Sequence, residues 1–211
     1  MAVKARHATP KRRVPSQDRS KQRVERILDA AMHVFGELGF DAATMDAIAE
    51  RAGTSIGSLY QFFPNKKAVF EAMGTRYLDE VRTLFDTFMT EERLARPWQE
   101  VLDDGIDAFW AFHTASPGFR AVWTSWLMSP EFMAAGDALN REFARRVEAV
   151  ISRQSSLSKK RRELVATLVV ETISSMLIVA ARYGEPLASN LMTETKVLIR
   201  RYVEPYADRL E

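Results

Sequence analysis

The sequence predicts an all-α protein of about nine helices, in which a small helix-turn-helix unit precedes a larger helical body. Three observations lead to this fold class. Apolar residues make up 46% of the 211 residues, and they recur at helical spacing through most of the chain. Serine, threonine or asparagine precedes many of these stretches, as is typical of helix N-caps. Strict alternation of apolar and polar residues, the pattern of a half-buried strand, is not found.

The N-terminal part of the chain predicts three helices and the start of a long fourth. The first helix ends at Gly39, because glycine is the usual residue just beyond a helix C-terminus. Thr44 caps a short second helix that Gly53 ends, and Thr54 or Ser55 caps a third helix that closes before Pro64. Asn65 caps the fourth, which we expect to run to about residue 92. Further helix starts, recognised by a capping serine, are Ser116-Pro117, Ser129-Pro130 and Ser158.

Charge is distributed unevenly along the chain. The formal net charge is +2, but residues 1–26 carry +7 and the remaining residues carry −5. Residues 1–15 combine a basic run with two prolines and few apolar side chains, so we expect a flexible basic arm. We assign residues 16–66 to a helix-turn-helix head and residues 67–211 to a helical body. A basic arm on an acidic body suggests a polyanionic partner at one end of the molecule.

The third predicted helix has an unusual outer face. Leu59, Phe62 and Phe63 are expected to pack inward, which leaves small and hydroxyl-bearing side chains outside. An ordinary solvated face would carry lysine and glutamate, whereas this one carries no charge before Lys66. A short helix of this kind, placed behind a tight turn at Gly53, is suited to close approach to the major groove of DNA. Its outward residues are Ser55, Gly57, Ser58, Tyr60 and Gln61.

This part of the chain resembles the TetR family of bacterial regulators. The similar stretch is Thr44–Lys67, TMDAIAERAGTSIGSLYQFFPNKK, preceded by a helix that contains ILDAA at residues 27–31 and Phe35. The resemblance covers about residues 20–70, roughly a quarter of the chain. It implies a homodimeric transcriptional regulator that binds a palindromic double-stranded DNA operator. It also implies a small-molecule effector that releases the operator, and it favours a repressor.

The resemblance further implies roles for individual residues of the head. Thr44 and Lys66 would contact phosphate from the starts of the second and fourth helices. Gly57 would let the third helix approach the DNA backbone. Ile56 departs from the family pattern, because many members have a basic or polar residue there, and it is limited to an apolar contact, for example with a thymine methyl group. The residues that would face DNA from the third helix are Ser55, Ser58, Tyr60 and Gln61.

The resemblance places effector binding in the body, and the sequence supports this in part. Residues 106–133 are rich in large side chains, including three tryptophans within 17 residues. Such a cluster forms either an ordinary core or the wall of an apolar cavity. His113 follows Trp110 by one helical turn and would add a polar group to that cavity. The candidate effector-binding residues are Phe109, Trp110, His113, Trp123, Trp126, Met128 and Met176.

The last two predicted helices are the candidates for a dimer interface. Residues 164–183 form a helix that is apolar nearly all round, so it must be covered on all sides. The final helix begins near Leu187 and offers apolar residues from Leu191 to Tyr206. The two helices either pair with their copies in a four-helix interface or close the core of the monomer.

Other classes of protein find less support in the sequence. An enzyme with a basic arm would need a phosphate loop, a nucleophile with a partner histidine or paired metal ligands, and none of these patterns occurs. A helical protein-interaction module with a non-specific basic arm is the other alternative, but it leaves the outer face of the third helix unexplained.

The composition also bears on cofactors and location. The chain has no cysteine, so we expect neither disulfides nor a thiolate metal site, and we expect no metal or cofactor. No apolar stretch follows the first basic residues, which argues against a secretory signal. The most apolar segment, residues 164–181, contains the carboxylate of Glu171, which is costly within a bilayer. We therefore expect a cytoplasmic protein without a membrane span.

Overall fold

The computed structural model describes residues 16–115, 129–153 and 156–207, and these residues form nine α-helices without a strand. The predicted all-α fold is confirmed. The basic arm of residues 1–15 and the predicted helix start at Ser116-Pro117 lie outside the described residues. The helices are α1 (Ser16–Ala42), α2 (Met45–Arg51), α3 (Ile56–Phe62), α4 (Lys66–Phe88), α5 (Glu91–Leu94), α6 (Trp98–Thr114), α7 (Pro130–Ser152), α8 (Lys159–Ala181) and α9 (Leu187–Ala207).

Capping side chains set the starts of five helices, as the sequence predicted. Thr44, Ser55 and Asn65 each accept a hydrogen bond from the backbone N–H three residues further on, at 3.1, 3.2 and 2.9 Å. Ser129 and Ser158 begin α7 and α8 in the same way. These bonds satisfy backbone donors that have no partner within the first turn of a helix.

The fourth helix is shorter than predicted. It ends at Phe88, and the four-residue helix α5 follows it. Thr90 begins α5 by accepting a hydrogen bond from the Arg93 N–H at 3.4 Å. The threonine hydroxyl competes with the backbone for this N–H group, so a new turn starts where the sequence pattern indicated continuation.

Two glycines separate the helices of the head. Gly39 has φ +76° and interrupts the helical backbone within α1, so the predicted stop is present as a kink before the last turn. Gly53 has φ +61° in the turn between α2 and α3. A side chain is strained in this left-handed region, which explains why glycine occupies both positions.

The head is held together by a core that α1, α2, α3 and α4 share. The rings of Phe35, Phe40 and Phe70 contact one another, with centroids 4.9 to 5.7 Å apart. Aromatic contacts of this kind join the end of α1 to the start of α4. Each of the four helices also contributes a fully buried side chain, and these are Ile27, Ile48, Leu59 and Met73.

An ion cluster fixes α4 against α1. Arg76 Nη1 donates to Asp29 Oδ1 at 2.7 Å and to Glu25 Oε2 at 3.2 Å, both on α1. Arg76 Nε lies 3.6 Å from Glu80 Oε1, one turn along α4. The arginine side chain is 20% exposed, so solvent screens these charges less than it screens pairs on the open surface.

The body packs on the C-terminal half of α4, with α8 at its centre. α8 contacts α6, α7 and α9, and its Val165, Ala166 and Ala180 are almost fully shielded from solvent. Among the described helices, α8 is long and apolar enough to cross a membrane by length and composition alone. Three helices cover part of α8, but Leu164 and Leu168 remain exposed, so this packing accounts for only part of the apolar composition.

Candidate DNA-binding surface and effector cavity

The helix α3 is anchored on one face and open on the other. Leu59 is fully buried, and Phe63, just beyond the helix, is buried as well. Tyr60 is 51% exposed and Ile56 is 36% exposed, although both are large apolar side chains. They lie one turn apart and therefore share a face. We call the exposed residues of this segment the recognition surface: Ser55, Ile56, Gly57, Tyr60 and Gln61.

An arginine from another helix reaches the edge of the recognition surface. Arg23 Nη1 of α1 donates to the hydroxyl of Ser58, a half-buried residue of α3, at 3.2 Å. The sequence places Arg23 in the basic N-terminal segment, but the contact depends on how α1 crosses α3 and could not be predicted. Thr44, at the start of α2, is exposed and uses its hydroxyl as the helix cap.

Lys66 has a structural contact that the sequence did not predict. Its ammonium donates to the carbonyl oxygens of Phe40 and Asp41 at 2.7 and 2.9 Å, which closes the C-terminus of α1. An ammonium group has three hydrogens, so a phosphate contact is compatible with these two bonds. The neighbouring Lys67 is exposed and lies 3.4 Å from Glu71, which adds a second cation at the start of α4.

An apolar cavity of about 730 Å³ lies inside the body. Its walls come mainly from α4, α6, α7 and α8. Along α4 the lining runs from Tyr77 to Phe88, a stretch of helix about 17 Å long. This size suits a small-molecule ligand. Within the described parts of the chain, no group of three His, Asp or Glu side chains is placed to hold a metal ion.

A buried polar pair lies in the cavity wall. Tyr77 Oη and His113 Nε2 are 2.7 Å apart, and His113 Nδ1 lies 2.6 Å from the carbonyl oxygen of Phe109. Because a carbonyl oxygen only accepts, Nδ1 carries the proton and Nε2 accepts the Tyr77 hydroxyl. Burial lowers the pKa of His113 to about 4, although the bond to Phe109 opposes the shift, so the ring is neutral near pH 7.

The predicted effector-binding residues fall into three groups. Phe109 and His113 line the cavity. Trp110 and Met176 are not among the described lining residues; they pack against an apolar cluster of α6, α8 and α9 whose Ile106 also lines the cavity. Trp110 follows Phe109 directly, and successive residues of a helix point about 100° apart, so the two side chains meet different neighbours. The predicted residues outside the described ranges are Trp123, Trp126 and Met128.

Several residues that line the cavity were not predicted from the sequence. Trp98, at the start of α6, lines it, and so do Asn140 of α7 and Ser174 of α8. Isolated polar residues on amphipathic helices carry no signal of a cavity until the packing of the neighbouring helices is known. The contact of Tyr77 with His113 joins residues 36 positions apart and could not be inferred from the sequence.

Apolar side chains also lie exposed on α8 and α9. Four leucines on these helices are between 41% and 55% exposed, although leucine is usually buried. Leu164 and Leu168 lie one turn apart on α8, and Leu187 and Leu198 lie three turns apart on α9, so each pair shares a face of its helix. Exposed apolar faces of this kind are candidates for contact with another molecule. We call this the leucine surface, and it consists of Leu164, Leu168, Leu187 and Leu198.

The head and body together define a class of protein. A short helix with an exposed, uncharged surface, held behind a tight turn and flanked by cations, is the DNA-reading element of helix-turn-helix proteins. Such a head on a helical body defines a helix-turn-helix transcriptional regulator. Residues 27–73 match the family model described as "Bacterial regulatory proteins, tetR family", and residues 97–202 match "Tetracyclin repressor-like, C-terminal domain". The chain belongs to the TetR family of transcriptional regulators.

Individual relatives are similar over different shares of their length. FasR, an HTH-type transcriptional activator of Mycolicibacterium smegmatis, is 30% identical over 160 residues, which cover 75% of this chain and 70% of FasR. KstR, an HTH-type transcriptional repressor of Rhodococcus jostii, is 43% identical over 51 residues, which cover 24% of each chain. The similarity to KstR is therefore confined to about a quarter of that protein.

Solved structures share the fold over most of their length. A TetR-family regulator from Mesorhizobium loti has a TM-score of 0.71 at 17% identity, with 89% of this chain and 98% of that chain covered. FadR of Bacillus subtilis, solved in complex with stearoyl-CoA, has a TM-score of 0.61 at 16% identity, with 83% and 96% covered. At these identities the matches show a common fold.

His113 should make the stability of the body depend on pH. Its pKa is about 4 in the folded protein, below the ordinary value of 6.5, because burial disfavours the charged ring. The unfolded state binds more protons in this interval, so the contribution of His113 is present above pH 6.5 and is lost as the pH falls towards 4. Between pH 7 and pH 5 we expect wild type to lose about 2 kcal/mol more unfolding free energy than His113→Gln in urea titrations. Equal losses in the two proteins would contradict a buried, neutral histidine.

Proposed function

We propose that the protein is a homodimeric repressor that binds a palindromic operator and releases it when an elongated, largely apolar effector enters the body cavity. Residues 16–66 form the DNA-binding head, and residues 67–211 form the body that binds the effector and dimerises. Residues 1–15 form a basic arm that adds affinity for DNA of any sequence, because cations release condensed counterions from the phosphate backbone. The protein acts in the cytoplasm without a membrane span, metal or cofactor.

The observation that carries the proposal is the recognition surface. Its two large side chains, Ile56 and Tyr60, are exposed although nothing in the head requires this. A Cβ built at Gly57 would meet no atom within 4 Å, so the fold itself does not demand glycine there. Small and uncharged groups at the centre, with Arg23 and Lys67 at the edges, match a groove whose base edges lie between two phosphate backbones.

Repression follows from occupancy of the operator alone. A regulator bound over promoter DNA blocks transcription without a further contact surface, which makes repression the simpler outcome. Among the relatives, KstR is named a repressor, whereas FasR is named an activator. The palindrome follows from the dimer, because two equivalent heads read two equivalent half-sites about 34 Å apart.

The cavity supports an effector that is elongated and mostly apolar. Its lining along α4 extends for about 17 Å, and the buried polar pair Tyr77–His113 carries no net charge. An isolated charge buried against this lining would be unfavourable, so a charged part of an effector belongs at the solvent end. The structure of FadR with stearoyl-CoA shows a related fold with a long-chain ligand.

Helix α4 supplies the coupling between effector and operator. It begins at Lys66, four residues after the end of α3, and its cavity lining begins at Tyr77, about 17 Å further along the same helix. The ion cluster around Arg76 holds this stretch against α1. A ligand that displaces α4 at the cavity therefore moves the recognition helix and changes the separation of the two heads.

The leucine surface supports the dimer. Leu168 of α8 and Leu198 of α9 are exposed by 41% and 55%, and pairing these helices with their copies would remove both from water. A symmetric contact of this kind presents the same patch twice, as in most homodimers. Met176, by contrast, is partly buried against the core cluster of Ile106 and is not part of this surface.

Replacement of Tyr60 should separate DNA recognition from stability. We expect Tyr60→Ala to abolish specific binding to the operator, found in the DNA that flanks the gene, while binding to unrelated DNA is retained. Because the side chain is 51% exposed, the melting temperature should change little. Fluorescence anisotropy with labelled DNA and thermal unfolding measure the two effects. The buried Leu59→Ala serves as the contrasting variant, with a large loss of stability; a comparable loss in Tyr60→Ala would exclude the assigned role.

Effector and operator should weaken each other's binding by the same factor. A panel of fatty alcohols, fatty acids and their coenzyme A esters can be tested for release of labelled operator and, separately, for binding to protein with and without operator. Reciprocity is a thermodynamic requirement for a shared two-state element. A compound that binds in the cavity with unchanged affinity when operator is present is not the effector. Phe109→Trp, which narrows the cavity, should weaken both effects together.

Charge on the leucine surface should separate the subunits. We expect Leu168→Glu combined with Leu198→Glu to be a monomer in analytical ultracentrifugation, because paired glutamates would face each other across a dry interface. The monomer should lose at least tenfold in operator affinity, since the two heads no longer bind together. Leu38→Glu, at a residue of α1 that is 52% exposed, is the matched control and should remain a dimer. A dimer that persists in the double variant would place the interface elsewhere.

A further inference from the structure

A chain of hydrogen bonds runs from the cavity to the surface between α7 and α8. Asn140 and Ser174 are half-buried and line the cavity, whereas Glu171 is exposed and lies outside the lining. Ser174 Oγ donates to Asn140 Oδ1 at 3.0 Å. Asn140 Nδ2 donates to Glu171 Oε2 at 3.1 Å. The chain therefore has a defined direction, from the serine hydroxyl through the amide to the carboxylate.

Glu171 fixes which side of the amide faces the cavity. An ionised carboxylate only accepts hydrogen bonds, so the amide nitrogen of Asn140 must point towards it. The amide oxygen consequently points towards Ser174, and one of its two lone pairs receives the serine hydrogen. Because Ser174 has given its hydrogen to Asn140, its own oxygen presents lone pairs. This part of the wall therefore presents the acceptor oxygens of Asn140 and Ser174, while the second amide hydrogen of Asn140 is carried by the nitrogen that faces Glu171.

A neighbouring carboxylate adds further hydrogen-bond acceptors to this part of the cavity wall. Asp137 lies one turn before Asn140 on α7 and also lines the cavity. Among the described lining residues the cationic side chain is Arg96, and its guanidinium is bound to Glu100 and Asp104 at 2.9 and 2.7 Å. The electrostatic character of the α7–α8 wall is thus that of an acceptor.

We infer that Asn140 and Ser174 form the specificity site of the effector cavity, and that they bind a hydrogen-bond donor, a hydroxyl or an amine, on an otherwise apolar molecule. The inference rests on the proposed effector function of the same cavity. A ligand with acceptors alone places its lone pairs against those of the protein, and buried polar groups without a matching partner cost affinity. Glu171 is a positioning residue, since it orients the amide from outside the cavity.

The test compares four ten-carbon probes by isothermal titration calorimetry on the full chain. Decanol and methyl nonyl ether are isomers with ten carbons each, so the ether lacks the hydroxyl hydrogen without a change in size. Decylamine and decanoate give a cationic donor and an anionic acceptor. We expect decanol to bind about fivefold more tightly than the ether, the equivalent of one hydrogen bond. Decylamine should likewise exceed decanoate. The ratio of decylamine to decanol then distinguishes an amine from a hydroxyl as the group recognised.

Two variants test whether the preference for decanol over the ether depends on Asn140 and on its orientation by Glu171. Asn140→Leu removes the acceptor and should reduce the ratio of decanol to ether affinity to about one. Glu171→Ala leaves the lining intact but lets the amide rotate and present its nitrogen, so the ratio should fall there as well. Glu163→Ala, which removes an exposed carboxylate from the same helix, is the matched control and should keep the wild-type ratio.

Several results would overturn the inference. If the ether binds wild type as tightly as decanol does, the wall does not select a donor. The same conclusion follows if the ratio of decanol to ether affinity is unchanged in Glu171→Ala. Operator binding, measured on the same samples, separates this failure from that of the proposed function. A protein that binds operator without discriminating the probes would refute the specificity site alone. Loss of binding for all four probes would refute an apolar effector cavity as well.

Discussion

The buried face of α4 is the contact on which both halves of the molecule depend. Phe70 and Met73 complete the core of the head, while Tyr77 and Phe85, further along the same face, pack in the body. These residues belong to one continuous apolar cluster that extends from α1 to α8. Because no flexible linker separates the two cores, a movement of α4 cannot be absorbed between them. Close packing makes such a helix move as a unit, which is what communication between two distant sites requires.

The predictable parts of the fold were those decided by local chemistry. A helix start depends on one capping side chain and the backbone three residues further on, so Thr44 and Asn65 could be assigned from the sequence alone. For α3 the sequence left Thr54 and Ser55 as alternatives, and the structure has Ser55. The predicted end of α4 was wrong. The helix stops earlier because Thr90 caps a new turn through a single hydrogen bond, and a lone threonine is a weak signal of a cap in the sequence. The exposure of Tyr60 followed from the spacing of apolar residues along a short helix and from the family resemblance.

The cavity was harder to predict, because its lining depends on helices that are distant in the sequence. Helical spacing identifies residues that share a face, but it does not tell which neighbour that face meets. Trp110 is therefore not among the described lining residues, although Phe109, next to it and packed against the same apolar cluster, lines the cavity. The contact of Tyr77 with His113 and that of Ser174 with Asn140 join residues 36 and 34 positions apart. Neither pair leaves a pattern in the chain that could be read without the packing of the helices.

The separation of the anchoring face of α3 from its recognition surface has a consequence for evolution. Leu59 and Phe63 hold the helix in place, and none of the exposed residues takes part in that packing. Mutations at exposed positions usually change stability little, so the sequence specificity of the head can drift without loss of the fold. Gly39 and Gly53, which set the angles between the helices, do not share this freedom, because both have a left-handed backbone. Duplicated copies of such a regulator can thus diverge to new operators while keeping the same scaffold.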